Sequence, residues 1–169
     1  MTEIRLGRIE DFQKLNHDWA LSPDSEWQQK AQKDYIKGIE AGTQEFWVIE
    51  HGDEILGEFH IYWDQKDKDE ANGKKRAYLS AFRVHPDHRG QGLGTKLMQR
   101  VIERIQENGF TEVTIGAYHH EPEIQELYKK WGFTEFVKEA IEETTEGKPK
   151  FLLFLKAKPE LNNGLRTKE

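Results

Sequence analysis

The residues best equipped for chemistry fall in one short run, Val84-His85-Pro86-Asp87-His88-Arg89-Gly90-Gln91-Gly92-Leu93-Gly94. Before it, residues 77–84 read as a strand; after it, Leu93, Leu97, Met98, Val101, Ile102 and Ile105 recur at helical spacing. Alternating glycines and an arginine therefore sit where a strand turns into the N-terminus of an amphipathic helix. The first N–H groups of a helix lack intrahelical acceptors and carry partial positive charge. Glycines let an anion reach that backbone without meeting a Cβ. The chemistry implied is phosphate binding. Gly94-Thr95-Lys96 has the wrong order for a nucleotide P-loop, and Gly90, Gly92 and Gly94 do not match the G-x-G-x-x-G of a dinucleotide turn.

Proton-transfer candidates lie on other elements. Glu58 and His60 are two apart on a strand and share a face. His119 and His120 follow a later strand, and Tyr128 lies on a short helical stripe with Ile124, Leu127 and Trp131. Seven histidines without an H-E-x-x-H pattern, with adjacent His119 and His120 facing opposite ways on a strand, give no metal site. With no cysteine there is no disulfide, thiolate nucleophile or Cys-ligated zinc.

The surrounding pattern predicts the order β-α-α-β-β-β-α-β-α-β-β. Residues 2–6 alternate as a strand. Phe12, Leu15, Asn16 and Trp19 recur helically, and Ser22-Pro23-Asp24 reads as the start of a second helix carrying Trp27, Ala31, Tyr35 and Ile39, with Gly42 as its stop. Residues 46–50 and 55–63 flank a His51-Gly52-Asp53-Glu54 turn as a hairpin. Residues 64–76 read as a solvated loop, Asn108-Gly109 closes the long helix, and residues 111–117 form a strand. Gly132 stops the Tyr128 helix with Phe133 packing back, and residues 133–138 and 151–155 form a final strand pair. The expected architecture is a mixed sheet with helices packed on it, as one domain over residues 1–157, followed by a polar, frayed tail over 158–169.

The 169 residues carry a net charge of −6, which disfavours nucleic acid as a partner and suits a cationic one. No apolar run approaches the roughly 20 residues of a membrane span, and residues 1–5 lack a signal-peptide pattern. A cytoplasmic protein that binds neither nucleic acid nor membrane is expected. The final strands, if exposed, could pair between chains into a homodimer.

Arg89-x-x-Gly92-x-Gly94, preceded by Val84-x-Pro86 and followed by Leu97, resembles motif A of the GNAT superfamily of acyl-CoA-dependent N-acyltransferases. Leu127-Tyr128 with Trp131-Gly132-Phe133 resembles that family's later Leu-Tyr-x-x-x-Gly-Phe element. The order of elements carries the resemblance over residues 2–156. It implies an α/β fold with a mixed, mostly antiparallel sheet of about seven strands, splayed near Val84 and Ala117 into a V-shaped cleft, with helices on both faces. It implies acetyl-CoA as co-substrate. Backbone N–H groups of Gln91, Gly92, Leu93, Gly94 and Thr95 would hold its pyrophosphate, with Arg89 and Gly90 shaping the turn. Phe82, Arg83 and Val84 would pair with its pantetheine arm, an N–H near Val84 would polarise the thioester carbonyl, and Tyr128 would protonate the departing thiolate.

The family's strand carboxylate is missing from residues 77–84, which leaves Glu58, His60, His119 and His120 as candidate bases, Glu58 foremost. Where the family often has Asn and Ala at the start of the Tyr helix, this chain has Glu121 and Ile124; the glutamate could bind a cationic acceptor. The expected activity is N-acetylation of a small-molecule primary amine by direct attack in a ternary complex. Acetylation of a protein N-terminus or lysine is a second reading, and a non-catalytic acyl-CoA-binding domain a third.

Overall fold

A computed structural model of the chain describes residues 2–18, 26–142 and 149–160. The strands are β1 (Thr2–Leu6), β2 (Gln44–His51), β3 (Glu54–Tyr62), β4 (Arg76–Val84), β5 (Glu112–Tyr118), β6 (Glu135–Glu142) and β7 (Lys150–Ala157). The helices are α1 (Asp11–Asp18), α2 (Glu26–Ala41), α3 (Leu93–Glu107) and α4 (Pro122–Lys130), with a 3-10 turn at Pro86–His88. The strands form one mixed seven-stranded sheet in the order β1-β2-β3-β4-β5-β7-β6. The α/β architecture and element order expected from the pattern are both found. The Ser22-Pro23-Asp24 start, Trp19, the side chain of Trp27, the acidic loop at 143–148 and the tail from 161 lie outside the described residues. The backbone groups into two compact units, Met1–Ile61 with Ala81–Val101, and Tyr62–Ser80 with Ile102–Glu169.

In the first unit, Phe12, Leu15, Phe46, Val48 and Ile55 form a buried cluster, with Tyr35, Ile36 and Ile39 of α2 packed against it. Gly7 is required there: a Cβ would stand 2.3 Å from the Phe46 ring. Gly42, at φ 78°, ends α2 as expected. Beside this cluster Arg5 donates to both oxygens of Asp11 at 2.9 Å and to Glu50 at 2.9 Å, and the Arg8 N–H adds a 2.7 Å bond to Asp11. Burial would raise the Asp11 carboxyl, but these hydrogen bonds overcome it and hold it below its ordinary value. A depressed folded pKa contributes stability that is present above the unfolded pKa and lost as pH falls through the folded one. Asp11→Ala, which removes the bidentate partner of Arg5 and leaves it Glu50 alone, should therefore cost about 2 kcal/mol at neutral pH, and the cost should shrink on acidification below about pH 4. Urea unfolding at pH 7 and below pH 4 checks it; an equal loss at both would refute this account.

In the second unit, β4 and β5 run parallel, with Arg76–Leu79 paired to Glu112–Ile115; β7 pairs antiparallel with both β5 and β6. The segment at 64–75 is largely exposed, as expected of a solvated loop, and is pinned at a few points. Ala71 is fully buried, and the Asn72 side chain accepts from the N–H groups of Lys74, Lys75 and Arg76 at 3.0–3.1 Å. Glu70 receives the Lys138 ammonium at 3.0 Å, and its carbonyl receives the Thr114 hydroxyl at 2.7 Å. Composition cannot reveal these anchors. The tail is likewise held at its start, where the Pro159 carbonyl accepts from Gln106. α4 ends as predicted: Gly132 sits at φ 104°, its N–H bonds the Lys129 carbonyl at 3.0 Å, and the Phe133 N–H bonds the Tyr128 carbonyl at 3.0 Å.

Candidate active site

The glycine turn lies in the first unit. β4 ends at Val84, His85–Pro86–Asp87–His88 makes a 3-10 turn, and α3 begins at Leu93. Arg89 folds back so that its Nε donates to the Val84 carbonyl at 3.2 Å, which ties the turn to the strand end. Gly90 (φ 81°) and Gly92 (φ 78°) adopt the left-handed conformation, and nothing stands within 4 Å of where either Cβ would be. Gly94 is different. A Cβ there would lie 2.9 Å from the Phe82 ring and 3.6 Å from Val84, so this glycine serves packing of α3 on β4. Two of the three glycines thus keep open the space in front of a helix N-terminus, and the third brings that terminus against the strand. This open space lies before the N-terminus of a 15-residue helix, where unpaired N–H groups favour an anion.

Glu58 and His60 are both buried, at 3% and 0% exposure, and are not the edge residues their polarity suggests. Arg83 Nε donates to Glu58 Oε1 at 2.6 Å and a second guanidinium nitrogen reaches the same oxygen. His60 Nε2 stands 3.4 Å from Glu58 Oε2, and His60 Nδ1 stands 3.0 Å from Gln44 Nε2. Burial would raise the Glu58 carboxyl, but the hydrogen bond from His60, with the charge and hydrogen bond of Arg83, holds it below the usual carboxylate range. Glu58 is therefore ionised throughout the neutral range. Ala81, just before Phe82 on β4, is the one non-glycine with positive φ (55°) among the described residues. The Phe82 ring packs against Phe59 at a tilt of 41°, with ring centroids 4.6 Å apart.

Tyr128 belongs to the second unit. It lies in the last turn of α4, 6% exposed, with Trp131 and Phe133 rings each 6.2 Å from its own. Burial pushes its phenol up and the negative charge of Glu121 adds to this, so the hydroxyl stays protonated and able to donate. The other histidines differ in setting. His119 is 3.5 Å from Glu139, and His120 stacks on Tyr118. The glycine turn, residues 82–84, Arg89 and Glu58 fall in one unit and Tyr128 in the other. Sequence reasoning missed Arg83 and Gln44 as side-chain partners. The period-2 pattern of β3 was the available signal, since it put Glu58 and His60 on one face and so implied that both need partners. Among the described residues, no group of three His, Cys, Asp or Glu could hold a metal ion, and no helix is long and apolar enough to cross a membrane.

A strand-turn-helix unit on a mixed seven-stranded sheet is an architecture this chain shares with known proteins. The family model for the acetyltransferase (GNAT) family matches residues 12–133. The chain belongs to the GNAT acetyltransferase family. It is 31% identical over 88 residues to N-acetyltransferase 8F1 of Rattus norvegicus, covering 52% of this chain and 38% of that protein. The chain thus spans well under half the length of the curated relatives it matches. Its fold is similar to an N-acetyltransferase from Staphylococcus aureus Mu50 (TM-score 0.72, 14% identity, 95% and 99% of the two chains). It is also similar to yncA of Salmonella typhimurium, solved with acetyl-CoA (TM-score 0.69, 18% identity, 96% of each chain).

Proposed function

We propose that this chain transfers an acetyl group from acetyl-CoA to the primary amine of a small molecule by direct attack. The observation that carries this reading is the cradle formed by Gly90 and Gly92 in front of α3, in a chain of this family. N–H groups of Gln91, Gly92, Leu93, Gly94 and Thr95 hold the pyrophosphate, and the backbone of Phe82, Arg83 and Val84 pairs with the pantetheine arm. An N–H near Val84 stabilises charge on the thioester oxygen. The amine nitrogen forms its bond to the carbonyl carbon, the C–S bond breaks, Glu58 takes the amine proton, and Tyr128 gives a proton to the thiolate. The excess of 31 acidic over 25 basic residues favours a cationic acceptor.

The test is thiol release from acetyl-CoA with a panel of polyamines, aminoglycosides, amino acids and short peptides. Release with one small-amine class supports the reading. Release with peptides alone would move the acceptor to protein, and tight acetyl-CoA binding without release would make this a binding domain. Glu58→Gln should lower kcat/KM by about 100-fold. Since Glu58 is held below the ordinary value of 4.5, its protonation should not produce an acid limb at or above pH 5 in the unmodified protein. An undiminished rate for Glu58→Gln would remove Glu58 from the mechanism.

A further inference from the structure

His60 is the most thoroughly buried polar side chain near the proposed base, yet nothing in the reaction uses it directly. It is fully buried, and its ring lies among Tyr35, Phe46 and Phe12 at centroid distances of 4.4, 5.0 and 6.4 Å. Three elements, α1, α2 and β2, thus fix the plane of the imidazole. Its two nitrogens have unlike partners. The Gln44 side-chain nitrogen can only donate, so Nδ1 must accept at 3.0 Å. The neutral ring then carries its proton on Nε2, which faces the Glu58 carboxylate at 3.4 Å. Glu58 is an acceptor on both oxygens, receiving Arg83 on one and His60 on the other. The chain Gln44–His60–Glu58–Arg83 closes without an unmet partner on either ring nitrogen.

We infer that Gln44 and His60 are positioning residues: Gln44 sets the His60 tautomer, and His60 holds the Glu58 carboxylate ionised and fixed in orientation as the proton acceptor. The inference rests on the reading of Glu58 as base. The groups facing this pair are Arg83 from β4, Tyr35 from α2 and Gln44 from β2, so Arg83 is the cation left when His60 is changed. With the His60 donor removed, burial acts on Glu58 against Arg83 alone, and its pKa must rise.

The experiment is NMR on the full chain, with histidine ring 15N and glutamate carboxyl 13C labels and Glu58→Gln to assign the Glu58 signal. The unmodified protein should show His60 in the Nε2–H form. His60→Phe, which retains the aromatic stacking, should move the Glu58 titration midpoint upward. Gln44→Met, a milder change, should do the same by releasing the tautomer. In thiol release with the fastest amine of the panel, each variant should acquire an acid limb, losing roughly threefold or more in rate at pH 6 relative to pH 8 beyond any loss in the unmodified protein. An Nδ1–H tautomer, or a Glu58 midpoint unmoved in both variants, would overturn the role of His60 and Gln44 and leave Glu58 as base intact. A midpoint that rises into the assayed range without an accompanying limb would instead refute Glu58 as base, and the catalytic use of the pair with it.

Discussion

Gly92→Ala should weaken acetyl-CoA binding by about two orders of magnitude, whereas Gly109→Ala should leave it unchanged. The two glycines make a matched pair. Both sit at φ 78°, neither would place a Cβ within 4 Å of another group, and they flank opposite ends of α3. An alanine at either position carries the same left-handed strain, about 1–2 kcal/mol, and should lower Tm similarly. Only at Gly92 does the new methyl stand where a phosphate would approach the helix N-terminus. A hydrogen bond to a charged group is worth about 1.5–3 kcal/mol, so loss of one or two accounts for roughly 100-fold in Kd. Isothermal titration with acetyl-CoA, alongside thermal melts, separates strain from binding. Equal affinities in the two variants would mean that the cradle is not the phosphate site.

Tyr128→Phe should reduce kcat by about 100-fold and leave acetyl-CoA affinity within twofold. The ring is buried against Trp131 and Phe133, and phenylalanine keeps that packing, so the variant should fold normally. What it removes is a hydroxyl whose proton is retained well beyond neutrality, because burial and Glu121 both oppose its loss. Deprotonation of Tyr128 should accordingly cause no fall in rate below its ordinary value of 10.0. If kcat for Tyr128→Phe matches the unmodified protein, thiolate protonation falls to solvent or another group. If kcat falls together with affinity, Tyr128 contributes to binding and not selectively to the chemical step.

Much of the fold was legible because its determinants are local. Leu93, Leu97, Met98, Val101, Ile102 and Ile105, picked out by spacing alone, are all buried on α3. Gly42, Gly52, Gly109 and Gly132, placed at turns and helix ends, all take positive φ. The pairs invisible to periodicity are those made by tertiary contact. Arg5 meets Glu50 across 45 positions, and Arg83 meets Glu58 across 25. The segment at 64–75 is largely exposed, as its polar composition implies, while its anchoring through Glu70 to Lys138 and Thr114 lies far along the chain. The glycine turn was recognisable as a strand-to-helix junction. That Gly94 serves packing, while Gly90 and Gly92 keep space open, required coordinates for Phe82.

The bond from the Phe133 N–H to the Tyr128 carbonyl makes the end of α4 a ruler. Four residues lie between the two, and that count closes the hydrogen-bonded ring around Gly132. Phe133 is buried to 1% exposure and cannot slide to absorb a change. Adding or deleting one residue between them would break the ring or turn the phenol to another side of the helix, since each residue rotates the chain by about 100°. Sequence drift in this stretch can therefore exchange side chains at Lys129 and Lys130 but cannot alter its length. A single-residue insertion there should silence the protein more completely than replacing any one exposed side chain nearby.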